Sequence, residues 1–370
     1  MGQAAPPARA VQVDEAPGVR PPRFGTPALV VLGLALTSAV LVAAALVGGA
    51  ARAPELADPG PVTRWGLLGA RTAADLAAIG TLGTLVLAVV VLPRSGPALG
   101  ADLGRDAARL MRAVTWWAAA WASTGLLTAL FTLSSTAGAP VAAVLAPDVL
   151  PLVLDLGQTR ALLSAVWLAL LVAVGSRWAG SAATGLLLLV TAGGGVVLPL
   201  LTGHAGHGRF PVLTATSLVL HVLAASAWVG GLAALVVHLR RSERALATAL
   251  PRYSHLALVC FVAVGLSGAL TGWASVQTWG QLWSTSYGQL LLAKVAALVL
   301  LGAAGHRHRR CTIAAAVRGR PRALLRLAVA ELLLMTCAAS LAVVLSRTEP
   351  PADTGRHALP ATQAVPFTAA

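Results

Sequence analysis

The sequence predicts an all-α fold: a polytopic transmembrane helical bundle of about nine spans, with the N-terminus cytoplasmic and the C-terminus outside. Three observations carry this. The chain of 370 residues is 57% hydrophobic and 11% charged, with a mean hydropathy of +0.79, which no soluble domain approaches. Its Leu, Ala and Val runs recur at lengths of about 20 residues, enough to cross a ~30 Å hydrocarbon core. Its arginines cluster between those runs, where topology signals belong. Alternating ten-residue segments, the mark of a membrane β-barrel, do not occur.

Residues 1–26 hold five prolines and little apolar surface, and read as a disordered cytoplasmic tail without a cleavable signal. The apolar runs place spans at about 27–49, 72–92, 113–133, 159–175, 180–202, 213–238, 254–275, 287–305 and 323–346. The loop at 134–157 contains a semi-apolar stretch suited to an interfacial helix. Residues 27–202 form a five-helix N-terminal half. Residues 203–346 form a four-helix half that opens on an outer histidine loop, and 347–370 form a flexible outer tail.

Charge tests this order. The chain has one lysine, Lys294, and 26 arginines, for a net charge of +14. With the N-terminus in the cytoplasm, the inner segments take 19 arginines and the outer segments 7, and the outer loop 276–286 has no charge. The basic excess is therefore a topology signal, and no nucleic-acid partner is expected. The cysteines, Cys260, Cys311 and Cys337, lie in or near apolar runs without CxxC spacing, so no disulfide is expected.

The candidate site centres on residues 201–239. His204 and His207 stand three apart in the loop, and His221 lies about one-third of the way into the following span. At helical spacing Ser217, His221, Ala224, Ala225, Trp228 and Gly231 share one face, so His221 points at a neighbouring helix. Neutral imidazole is a ligand for copper, nickel and zinc. Asp148 and Asp155, in a loop free of lysine and arginine from 134 to 157, would draw cations to that side. The competing reading makes all three histidines ordinary hydrogen-bonded polar residues.

Lys294 and Glu331 are charges inside spans, each expensive alone at ~2.5–3.5 kcal/mol or more. They read as an intramembrane charge pair, with a structural or a relay role. Met335 follows Glu331 by one turn and adds a thioether to that face. His238 and His255 at two inner span ends are a haem-ligand alternative, and His306 and His308 belong to a basic loop. Most of the ten tryptophans fall near span ends as an aromatic belt; Trp228 lies deep instead. No nucleotide loop, HExxH or Ser-His-Asp order is present, so no catalytic residues and no enzymatic activity are expected.

The runs LHVLAASAWVGGLAAL, RYSHLALVCFVAVGLSGAL, LWSTSYGQLLLAKVAALVLLGAAGHRHRR and RLAVAELLLMTCAASLAVVLSRTEPP resemble the copper resistance D (CopD) family of inner-membrane proteins, over about residues 213–351. The GHAGH loop and the five earlier spans are similar to the longer actinobacterial members, in which an oxidase-assembly (CtaG-like) half follows; that half is not expected here. The resemblance implies copper handling at the plasma membrane: transport of copper across it, or delivery toward cuproenzyme assembly with a periplasmic copper chaperone or an oxidase-assembly partner. It implies copper as the only cofactor-like species. It gives the family histidine as His221 with Trp228, Gly230 and Gly231. The T-x-YG pattern becomes Thr285, Tyr287 and Gly288 with Lys294, and the intramembrane acid becomes Glu331. Met335 supports. With three methionines in the chain, imidazole ligands are favoured over a thioether relay. A haem- or quinone-binding redox protein is the remaining alternative.

Overall fold

The structure, a computed structural model, describes residues 58–93, 103–202, 211–276, 278–307 and 321–345 except for 240–242, together with a few positions between 35 and 46. Every element among them is helical. The helices are α1 (Pro61–Val86), extended by a π turn at Leu87–Val91; α2 (Arg105–Ala137); α3 (Gly157–Gly175); α4 (Ala182–Leu201); α5 (Pro211–Ala234), extended by a π turn at Leu235–Leu239; α6 (Glu243–Ser275); α7 (Ser286–Arg307); and α8 (Pro321–Leu345).

The boundaries follow local chemistry. Pro61 opens α1 at its first turn, where a missing N–H costs nothing, after Gly60 at φ 91. Gly138 closes α2 in the left-handed conformation that a side chain resists, at φ 61. A capping box of Ser181 and Thr184 starts α4. Inside the helices, hydroxyls are satisfied within their own turn: Thr72, Thr81 and Thr84 donate to the carbonyls of Leu68, Ala77 and Gly80 at 2.8, 2.8 and 2.6 Å. That makes a polar side chain tolerable away from water.

Six helices are long and apolar enough to cross a membrane among the described residues, against about nine expected spans. They match the expected runs at 72–92, 159–175, 180–202, 213–238, 254–275 and 287–305. The runs at 113–133 and 323–346 also lie in helices, α2 and α8, but fall outside that set of six. The run at 27–49 lies outside the described residues, apart from the few positions named. Three helices start well before the apolar runs, α1 at Pro61, α2 at Arg105 and α6 at Glu243, because helical backbone continues past the apolar stretch into polar residues. The semi-apolar loop at 134–157 carries two short helical turns, Val141–Val144 and Leu150–Leu154.

The bundle is organised around α1, which packs on α2, α5 and α8. It meets α5 at bare backbone. A Cβ on Gly83 would fall 1.9 Å from the carbonyl carbon of Gly230, and one on Gly230 would fall 2.0 Å from the oxygen of Ile79. Small residues allow such contact between membrane helices, where dispersion and hydrogen bonding rather than hydrophobicity hold helices together. The two helices run parallel: Arg252, early in α6, donates to the carbonyl of Val91 at the end of α1 at 3.3 Å, so the C-terminal ends of α1 and α5 lie together.

The same order of helices occurs twice. A long helix ending in a five-residue π turn is followed by a helix of 33 residues, then a connection with short helical turns, then two further helices. The packing is reciprocal: α4 touches α5, and α8 touches α1.

Candidate functional site

The first helix of the second unit, α5, and its antiparallel neighbour α6 form a seam of hydroxyls. Ser217 and His221 stand one turn apart on α5, and Ser267 and Thr271 one turn apart on α6. Nδ1 of His221 lies 3.0 Å from Oγ of Ser267. Ser217 donates to the Ser267 carbonyl at 2.9 Å, and its Oγ is 3.3 Å from that of Thr271, which also donates to the Ser267 carbonyl at 3.0 Å. Gly268 makes room for the ring: a Cβ there would sit 3.4 Å from Cε1 and 3.6 Å from Nδ1 of His221. The small-residue face read from the sequence therefore packs on α6. Ser217 and Trp228 on it are buried, and Gly231 lies against the ring of Tyr253, 2.8 Å from where its Cβ would be.

Two charged residues stand at different depths beside this seam. Lys294 on α7 lies within electrostatic reach of His221. Helix rise agrees, since Ser267 and Lys294 are each eight residues from the neighbouring ends of α6 and α7, about 12 Å down. Two turns below His221, Trp228 meets Phe261 edge to face, with centroids 5.6 Å apart and planes at 87°. Below that, the hydroxyl of Tyr253 donates to the Trp228 carbonyl at 2.5 Å. Tyr253 is within electrostatic reach of Cys260 and of Glu331 on α8. Glu331 and Met335 are buried. The site thus has a polar layer at His221, an aromatic floor of Trp228 and Phe261, and below it Tyr253, within electrostatic reach of Glu331.

The ion pairs among the described residues are Arg64–Asp58 at 3.5 Å, Arg109–Asp106 at 3.1 Å and Arg160–Asp155. The direct pair expected between Lys294 and Glu331 is not among them. Lys294 belongs to the His221 layer and Glu331 to the Tyr253 layer, a division that hydropathy and depth alone did not separate. His204 and His207 lie outside the described residues. Among the described residues no three His, Cys, Asp or Glu side chains come close enough to hold a metal ion. Among the described residues, the partners of His221 form a hydroxyl seam.

The remaining residues singled out from the sequence find other places. Thr285 caps α7: its Oγ1 accepts the Gly288 N–H at 3.0 Å and donates to the Gln281 carbonyl at 2.6 Å. A Cβ on Gly288 would lie 2.3 Å from that same carbonyl, and Tyr287 is buried beside it. The T-x-YG pattern therefore shapes the entry to α7. Trp228, expected to lie deep, is buried. His238 is half-buried in the π turn of α5, while His255 and His306 are exposed and His308 lies outside the described residues. Asp155 is engaged with Arg160. Three residues escaped the sequence reading. Asp75 lies within the apolar run 72–92, with Arg71 one turn away and in electrostatic reach, and carries the signal that singled out Glu331. Ser267 and Tyr253 had no such signal, because hydroxyls are unremarkable in a helix until a partner from another helix is known.

Residues 247–345 match a family model described as Copper resistance protein D. That stretch runs from the second turn of α6 to the end of α8, and so includes Tyr253, Cys260, Ser267, Lys294, Glu331 and Met335. A stretch of 112 residues is 35% identical to the copper transport protein CutJ of Bacillus subtilis (strain 168), covering 29% of this chain and 21% of that relative. The chain thus matches about a fifth of the relative's length. No solved structure matches.

Proposed function

We propose that this CopD-family membrane protein conducts copper across the plasma membrane, with His221 as an intramembrane station for the ion. The observation that carries the reading is the place of His221: it is fixed by Ser267, a residue of the family-matched segment, at the mouth side of the aromatic floor. Imidazole suits copper, and an ionisable residue held at membrane depth is a functional candidate by default. The name of the CutJ relative points the same way.

The reading takes the arginine asymmetry as its topology: nine spans, N-terminus cytoplasmic, C-terminus outside, with the loop of His204 and His207 on the outer face. That loop meets the ion first, His221 receives it, and movement is inward. The protein performs no chemistry on the ion and needs no organic cofactor. Copper uptake into proteoliposomes holding the purified protein tests this. Uptake is expected for the wild type and lost in His221→Ala, with His204→Ala or His207→Ala weakening capture alone. Acidification lowers affinity, since imidazole binds metal only when neutral. Equal uptake by wild type and His221→Ala sinks the proposal.

The edge-to-face contact of Trp228 and Phe261 below His221 supports a second reading. The protein then receives copper at His221 and presents it to a periplasmic chaperone or oxidase-assembly partner without passing it through. Copper binding that depends on His221, with no uptake into vesicles, selects this reading.

A further inference from the structure

We infer that Ser267 is a positioning residue for His221: it holds the imidazole proton on Nδ1, so that Nε2 is the nitrogen offered to copper. The inference rests on the copper reading of His221 but is argued from hydrogen bonding alone.

A serine hydroxyl has one proton to give. Ser267 gives it to the carbonyl of Ala263, one turn earlier in its own helix, at 2.5 Å; the Val264 carbonyl is the more distant option at 3.2 Å. With that proton committed, Oγ can only accept, and the ring nitrogen 3.0 Å away, Nδ1 of His221, must donate. The Val264 carbonyl also faces the ring, and a carbonyl likewise only accepts. The Ser267 oxygen beside Nδ1 therefore calls for a proton there. Neutral imidazole has one N–H, so the lone pair stands on Nε2. Among the described residues no side-chain hydrogen bond reaches Nε2.

The surroundings keep this arrangement in register. The Ser267 carbonyl receives Ser217 from α5 and Thr271 from α6, which pins the turn bearing Oγ against the helix bearing His221. Gly268 leaves the Cε1–Nδ1 edge of the ring resting on α6 backbone, with contacts of 3.4 and 3.6 Å to the place of an added Cβ. The ring cannot turn a bare nitrogen toward Ser267 without losing the donor that Oγ requires. Partners of this kind on the remote ring nitrogen orient metal-binding histidines, and removing them costs about 10–100-fold in affinity.

The test has a metal-free arm and a copper arm, both on the full chain in lipid. Solid-state ¹⁵N NMR of histidine-labelled protein reports which ring nitrogen carries the proton, and His221→Ala identifies the His221 signal. The wild type is expected to show a single Nδ1–H tautomer, Ser267→Ala a mixture of both, and Ser267→Thr the wild-type state restored. Copper affinity is expected to fall about 10–100-fold in Ser267→Ala and to recover in Ser267→Thr. An Nε2–H tautomer in the wild type overturns the inference. So does a Ser267→Ala protein with the wild-type tautomer and unchanged affinity. If the tautomers behave as expected but His221→Ala binds copper as well as wild type, the copper reading fails, and with it the role of Ser267 in presenting a ligand.

Discussion

Gly83 and Gly230 meet backbone to backbone at the centre of the bundle, with room for no side chain on either: a Cβ on the first would lie 1.9 Å from the carbonyl carbon of the second. Neither helix can yield locally, because the obstacle on each side is backbone rather than the tip of a side chain. Gly83→Ala is therefore expected to force α1 and α5 apart and to cost about 3 kcal/mol, the upper end of overpacking. Gly69→Ala is the control, since its Cβ would meet nothing within 4 Å. Thermal unfolding in detergent checks this. Equal melting temperatures for the two variants would contradict the crossing.

Tyr253→Phe removes the hydroxyl that donates to the Trp228 carbonyl at 2.5 Å and leaves ring packing in place. The expected cost is about 1–2 kcal/mol, the worth of one buried hydrogen bond plus a less well satisfied acceptor. Tyr253→Leu should cost more, because Gly231 packs directly on the ring. The order of the two melting temperatures decides.

Lys294 stands within electrostatic reach of His221, so an ion on His221 feels a neighbouring positive charge. Lys294→Met should raise copper affinity by about 1–2 kcal/mol, or roughly 5–30-fold, for unit charges several ångströms apart in a medium of ε near 20. The gain should vanish in a His221→Ala background, which a double-mutant cycle on copper binding measures. Equal effects of Lys294→Met with and without His221 would show that the two do not interact.

Orientation can be read from outside intact cells. A cysteine placed at Thr278 should react with an impermeant thiol reagent, and one at Ser242 should not. The reverse labelling would invert the topology taken from the arginine distribution.

Much of the architecture was legible in the sequence because bilayer thickness imposes a length on apolar runs and helical backbone follows from the need to pair every N–H and C=O. Composition alone therefore marked six of the spans to within a few residues, though not the polar extensions of α1 and α6 or the standing of α2 and α8. The face bearing Ser217, His221, Trp228 and Gly231 was also readable, because helical spacing determines which residues point together. Its partner was not. That α6 faces it, that Ser267 meets His221, and that α1 crosses α5 at Gly83 are relations between segments far apart in the chain, set by which small residues let two backbones approach. The repeated order of helices was hidden for a related reason: the two units share the sequence of elements, while the residues filling equivalent places differ. Lys294 and Glu331 show the limit most clearly. Sequence determined that both charges lie inside the membrane span and need polar company; only the packing of α5, α6, α7 and α8 decided that Lys294 would sit by His221 and Glu331 by Tyr253, because electrostatic partners are chosen by side-chain reach in three dimensions and not by depth alone.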